Sequence, residues 1–196
     1  MSRRFAVFGH PIGHSRSPWI HARFAEQTGV ALTYEREDIA PGSFPERVQA
    51  FFAGGGIGLN ITVPYKEDAW RLCQRLSPRA GLAQAVNTLW NNEQGELCGD
   101  NTDGIGLVRD LRRNLGVMLT GARVLLVGAG GAGRGVARPL LEEQPAKLTI
   151  SNRSPDKAEA LVAELQESVT GSSTRLNAIA LDACGRDRYD LVINAT

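Results

Sequence analysis

The chain has 196 residues, 42% of them hydrophobic, which is ample for one large domain or two small ones; its 22 Lys and Arg against 21 Asp and Glu leave no excess charge for nucleic acid or an anionic membrane. Cys73, Cys98 and Cys184 are odd in number and lack a C-x-x-C spacing, which suits a reducing compartment and gives no metal constellation. No apolar run reaches membrane-spanning length and residues 1–9 are too poor in apolar side chains for a signal peptide, so a cytoplasmic protein acting on a small molecule is expected.

Strand and helix patterns alternate from the start, which is α/β grammar. Residues 5–8 read as a strand, 18–27 as a helix, 32–37 as a strand, 44–52 as a helix, 58–63 as a strand and 65–76 as a helix. Residues 85–90 and 96–98 form a hairpin pattern across 91–95, whose antiparallel pairing would make the first sheet mixed. From Asp103, the residues Leu107, Val108, Leu111 and Leu115 share a helical face before Gly116 and Gly121 bracket a break. Strand 123–127, helix 131–143, strand 147–151 and helix 155–166 follow, the last with Ala158, Leu161, Val162 and Leu165 on its apolar side; a weaker strand at 176–181 and a clear one at 190–194 complete the pattern. The expected organisation is an α/β domain with a mixed sheet over 1–103, a connecting helix and linker over 104–120, and a Rossmann-like domain over 121–196. A doubly wound dinucleotide domain has two mononucleotide halves, whereas this chain supplies one and a further strand, so a truncated domain from a longer polypeptide is expected.

In the second half, an apolar strand, Val124 to Val127, runs into Gly128-Ala129-Gly130-Gly131-Ala132-Gly133 and then into a helical pattern. This G-x-G-x-x-G spacing lets the chain turn at Gly128, approach a pyrophosphate at Gly130 and pack helix on strand at Gly133, with the amides of a helix N-terminus facing the anion. About 20 residues beyond such glycines an Asp or Glu usually accepts hydrogen bonds from the ribose of NAD. Here that place reads Ser151-Asn152-Arg153-Ser154. With no carboxylate to repel a 2′-phosphate, and with Arg153 able to offer a planar fork of donors helped by Asn152 and Ser154, the cofactor is expected to be NADP. Ser154 before Pro155 also has the form of an ordinary helix cap, and both roles can hold.

Four clusters in the first half carry polar side chains out of glycine or proline punctuation. Gly13-His14-Ser15-Arg16-Ser17-Pro18 follows a strand; its two hydroxyls could grip a carboxylate, and Ser17 before Pro18 equally has the form of an N-cap. In Asn60-Ile61-Thr62-Val63-Pro64-Tyr65-Lys66, Asn60 and Thr62 share one strand face, and Lys66 opens a helix either as a solvated residue or as a catalytic one. Asn87 lies in Ala85-Val86-Asn87-Thr88, and Gly99-Asp100-Asn101-Thr102-Asp103-Gly104 forms the fourth cluster, where Asp103 could simply begin the connecting helix.

In this order, and followed by G-A-G-G-A and N-R-S, these clusters closely resemble the shikimate dehydrogenase family over the whole length. The resemblance implies a substrate-binding and catalytic domain over 1–103 and reversible, NADP-dependent reduction of 3-dehydroshikimate to shikimate on the route to chorismate and aromatic amino acids. By the same resemblance Ser15 and Ser17 would bind the substrate carboxylate, Thr62, Asn87 and Asp103 its ring hydroxyls, and Asn60 would support the pocket. Lys66 would be the catalytic group beside Asp103. A lysine ammonium can protonate the oxygen on which charge grows during hydride transfer, whereas oxidation first needs the neutral amine, so oxidation is expected to accelerate toward alkaline pH. Gly128, Ala129, Gly130, Gly131, Ala132, Asn152, Arg153, Ser154 and Thr196 would face the cofactor, Thr196 as part of a motif that family members continue with a nicotinamide-binding loop, a Tyr and a Gln that contact substrate, and a terminal helix that returns to the first domain. Pro78-Arg79 stands where relatives often place an acid, so no role is transferred there. A quinate/shikimate dehydrogenase using NAD or NADP is the nearby alternative, and a nucleotide-binding module without turnover the distant one. A homodimer is expected; His10, His14 and His21 carry no metal-ligand pattern, and Trp19, Trp70 and Trp90 read as packing residues.

Overall fold

A computed structural model describes residues 3–168 and 173–196. The chain divides into two compact units, Met1–Asn101 and Thr102–Thr196, so the connecting residues 104–120 belong with the second. Among the described residues no helix is long and apolar enough to cross a membrane.

The first unit runs β1 (Arg3–Gly9), α1 (Ser17–Thr28), β2 (Leu32–Asp38), α2 (Phe44–Ala53), β3 (Gly56–Ile61), α3 (Lys66–Leu72), β4 (Arg75–Leu76), α4 (Pro78–Ala83), β5 (Thr88–Asn91) and β6 (Leu97–Asp100). Its six-stranded sheet has the order β2-β1-β3-β5-β6-β4. β1 pairs in parallel with β2 and β3, whereas β5 runs antiparallel to both β3 and β6, giving the expected mixed sheet. Phe8, Leu59 and Ile61 from the strands meet Phe44, Val48 and Phe51 of α2 and Ala69 of α3 in one core. α1 is different: none of its residues is buried, and Trp19 is 63% exposed, against the expectation that it packs inside.

The helical pattern over 65–76 stops at Leu72. Gln74 then donates its N–H to the Leu97 carbonyl at 2.9 Å while its side chain accepts from Leu97 N–H at 2.7 Å, drawing Arg75 and Leu76 into the sheet as an edge strand beside β6. Sheet pairing thus overrides helical periodicity. Helix α4 was not anticipated, although its signal is local: Ser77 Oγ accepts from Ala80 N–H at 3.2 Å and Pro78 takes the first helical position.

The second unit comprises α5 (Asp103–Arg109), a π-helical turn (Asp110–Asn114), β7 (Arg123–Val127), α6 (Gly131–Glu142), β8 (Lys147–Asn152), α7 (Pro155–Ser168), β9 (Arg175–Ala180), a 3₁₀ turn (Leu181–Arg186) and β10 (Leu191–Asn194). All four strands are parallel, in the order β10-β7-β8-β9. Val124, Leu126, Leu148 and Ile150 are fully buried, as parallel strands covered by helices require. Ala158, Leu161, Val162 and Leu165 of α7 are buried as their spacing predicts. Leu111 joins this core but Leu115 is 65% exposed, because the wider π turn carries it off the apolar face.

Candidate functional site

In the first unit the polar clusters meet along the ends of β1, β3 and β5. Arg16, not Ser17, holds the cap position of α1, and no side chain caps that helix. Ser15 instead turns inward: its Oγ accepts from Ser17 N–H at 3.3 Å and donates to Ser17 Oγ at 3.2 Å, so the two hydroxyls sit side by side. Arg36 of β2 pins this loop by donating to the carbonyls of Gly13 at 2.7 Å and Ser15 at 3.1 Å. Ser15, Arg16 and Arg36 line one hollow, and a hydroxyl beside two guanidinium groups suits an anionic group such as a carboxylate.

Across the sheet, Asn60 on β3 faces Thr88 on β5. Its Nδ2 donates to the Asn87 carbonyl at 3.3 Å and reaches Thr88 Oγ1 at 3.5 Å, and the Thr88 hydroxyl donates to Asn87 Oδ1 at 2.8 Å. Asn87 is 9% exposed, with its N–H on the Asp100 carbonyl at 2.9 Å and its own carbonyl accepting from Ile61 N–H at 2.8 Å. Thr62 follows β3 directly and is half-buried, its N–H bound to the Phe8 carbonyl at 2.9 Å. Lys66 is the first residue of α3, yet it too is only 9% exposed, so it is not a solvated helix start. Its carbonyl accepts from Val86 N–H at 2.8 Å, tying α3 to the segment that carries Asn87. Holding a lysine in such a place costs desolvation that a surface position would avoid.

Two elements of this site are long-range and escaped the sequence reading. Tyr34 on β2 donates its phenol to Asn60 Oδ1 at 2.7 Å; burial pushes its ionisation well above the ordinary phenol range. Asp100 is the second. Desolvation pushes its carboxyl up, but the Arg79 guanidinium, gripping both oxygens, the Ser77 hydroxyl and the Asn101 amide outweigh this and hold it below the usual carboxylate range. Asp100 thereby anchors the turn that leads to Asp103, the half-buried first residue of α5 in the second unit.

The second unit carries the glycine loop between β7 and α6. Gly128 has φ +117°, and a Cβ there would lie 2.6 Å from the Ala195 carbonyl oxygen, while at Gly133 a Cβ would come within 2.1 Å of the Gly128 oxygen. Gly130, at the cap of α6, has open space where its Cβ would stand, as a loop that admits a phosphate needs. Gly131 and Ala132 supply the first turn of α6. Ala129 N–H donates to Asn152 Oδ1 at 3.3 Å and Asn152 Nδ2 donates to the Ser154 carbonyl at 3.0 Å, so one side chain joins the loop to the end of β8. Arg153 and Ser154 are exposed there, and Arg153 forms no ion pair among the described residues. Thr196 folds back so that its hydroxyl donates to Asn194 Oδ1 at 2.8 Å, next to the segment that packs under Gly128. The donor set, helix terminus and open glycine fit a phosphorylated dinucleotide. His10 is engaged by Asp38 at 2.6 Å and His21 stacks on Tyr34; among the described residues no three metal-ligating side chains converge.

Two family models match the chain. Residues 7–89 match the shikimate dehydrogenase substrate binding domain, and residues 110–196 match shikimate / quinate 5-dehydrogenase. The shikimate dehydrogenase (NADP(+)) of Methylococcus capsulatus is 52% identical over 98% of this chain and 67% of its own length. That of Alkalilimnicola ehrlichii is 53% identical over 100% of this chain and 70% of its own. The crystal structure of shikimate 5-dehydrogenase from Thermus thermophilus in complex with NADP(H) and shikimate superposes with a TM-score of 0.83 at 36% identity, covering 99% of this chain and 68% of that one. The chain belongs to the shikimate dehydrogenase family.

Proposed function

We propose that the protein interconverts 3-dehydroshikimate and shikimate with NADP, residues 1–103 binding and processing the substrate, 104–120 connecting, and 121–196 holding the cofactor. The observation that carries this reading is the buried Lys66 at the start of α3, tied through its carbonyl to the segment bearing Asn87, in a chain about half identical to NADP-dependent shikimate dehydrogenases along its whole length. Ser15 and Ser17 hold the carboxylate; Thr62 and Asn87 bind ring hydroxyls with Asp103, and Asn60 braces them. When bound, NADPH supplies the hydride. Lys66 delivers a proton from Nζ to the substrate oxygen in reduction and takes it back in oxidation.

Gly128 to Ala132, Asn152, Ser154 and Thr196 hold the dinucleotide, and Arg153 reads its 2′-phosphate. The absence of a carboxylate at 151–154 supports NADP over NAD. A cytoplasmic setting belongs to this reading, supported by Cys73, Cys98 and Cys184 as free thiols, and so does a homodimer, which sedimentation analysis tests. The activity itself is tested by the near-ultraviolet absorbance of reduced nicotinamide on mixing the protein with shikimate and NADP. Parallel reactions with quinate and with NAD define the substrate and cofactor ranges. Nucleotide binding without any turnover of shikimate would remove the proposal.

A further inference from the structure

We propose that Arg79 is a positioning residue for substrate binding: by gripping the Asp100 carboxylate it fixes the start of α4, the helix whose end delivers Asn87, and so sets where Asn87 is presented. The inference rests on the role of Asn87 given above. The guanidinium meets Asp100 as a fork, Nε on Oδ1 at 2.7 Å and a terminal nitrogen on Oδ2. Oδ1 also accepts from the Ser77 hydroxyl and from Asn101 N–H, the latter at 2.7 Å, so one carboxylate joins the start of α4 to the end of β6. The same residue holds Asn87, whose N–H donates to the Asp100 carbonyl at 2.9 Å.

Asp100 thus secures α4 from both ends. Its side chain holds the first turn through Ser77 and Arg79, and its carbonyl holds the segment that leaves the last turn. Between these two attachments the helix has only 6 residues, and Gln84 ends it at φ +50°, in the left-handed region. A helix this short has too few internal hydrogen bonds to keep its own orientation, so a shift of its first turn is passed on to residues 85–87. Asn101, itself 3% exposed, reinforces the link by donating Nδ2 to the Ala85 carbonyl at 3.0 Å. Ala80 and Val86 supply the core contacts of this segment, whereas the Arg79 side chain is 42% exposed. An ion pair at the rim adds little to global stability, so removing the guanidinium acts on the site and not on the fold.

The test compares Arg79→Ala, Arg79→Lys, Asp100→Asn and Asn87→Ala with the unaltered protein in shikimate oxidation. Arg79→Ala is expected to raise the KM for shikimate about tenfold, the scale of one charge-assisted hydrogen bond, with the KM for NADP and the unfolding midpoint unchanged. Arg79→Lys keeps the charge but not the fork, so it should recover part of the loss. Asp100→Asn should move the same KM in the same direction. On an Asn87→Ala background, Arg79→Ala should add almost nothing, because the two residues act in one line. Full additivity there overturns the proposal, and so does a lowered midpoint with both KM values raised alike, which marks a merely structural ion pair. If Asn87→Ala raises the KM for shikimate and Arg79→Ala does not, the positioning role alone fails; if neither does, the assignment of Asn87 fails with it. Should Arg79→Ala not fold, Asp100→Asn decides by itself, an unchanged KM for shikimate overturning the proposal.

Discussion

The two units prepare for a ligand by opposite means. In the first, side chains do the work: Ser15 is bonded to Ser17, Tyr34 to Asn60, Thr88 to Asn87 and Arg79 to Asp100, so the polar groups are oriented by one another. In the second, the loop at 128–133 offers backbone and space. Two of its glycines are closed off by neighbouring carbonyls, one is open, and the exposed Arg153 stands without an ion pair among the described residues. A small polyhydroxylated acid demands many directed hydrogen bonds, whereas a pyrophosphate is held by amides that any residue carries; only the ribose end needs a named side chain.

The contrast breaks most sharply at Lys66. Lys66→Ala is expected to lower kcat by roughly 10²–10⁴-fold while nucleotide affinity, measured by fluorescence titration of NADPH, is retained. Full turnover in a folded Lys66→Ala protein would falsify the proton-transfer assignment. Within the second unit, Gly133→Ala forces a methyl against the Gly128 carbonyl and is expected to cost about 3 kcal/mol in denaturant unfolding. Gly130→Ala meets nothing in the protein, so it should leave unfolding nearly unchanged and weaken NADP binding instead. Equal destabilisation by both would erase the distinction between packing glycine and ligand glycine.

Arg153→Ala should raise the KM for NADP about 10- to 100-fold, the worth of a charge-assisted hydrogen bond, and leave the KM for NAD nearly as it was. A matched loss for both cofactors would count against a 2′-phosphate contact. The smallest effect is expected at Asp190, whose carboxyl is pulled to about 2 by the Arg123 side chain and amide. This folded value lies below the ordinary carboxylate value of about 4, so its contribution to stability is complete above that pH and is lost as pH falls toward 2. Because the pair is exposed the contribution is small, and Asp190→Asn should flatten that part of the acid-unfolding curve and nothing else.

Local patterns made most of this molecule readable. The strand over 123–127 ends where its glycines begin, and the apolar side of α7 is the one its spacing shows. The mixed sheet was foreshadowed by the hairpin that became β5 and β6. What was not readable depends on partners far along the chain. Residues 73–76 leave the helix because β6 offers them a sheet edge, and Tyr34 gains its place only when β2 brings it to Asn60, 26 positions away. Arg79 and Asp100 are separated by 21 positions, and neither has a local feature that points to the other. Ser17 had the form of a cap by every local criterion, yet its hydroxyl is taken by Ser15.

The Ala195 carbonyl beneath Gly128 bears on the timing of biosynthesis. β7 and the glycine turn leave the ribosome well before β10, whose Asn194 pairs with Val127, so the phosphate loop is written early but lacks its floor until β10 has docked. A nascent chain arrested before residue 190 carries the whole fingerprint in its sequence and is expected to bind no dinucleotide.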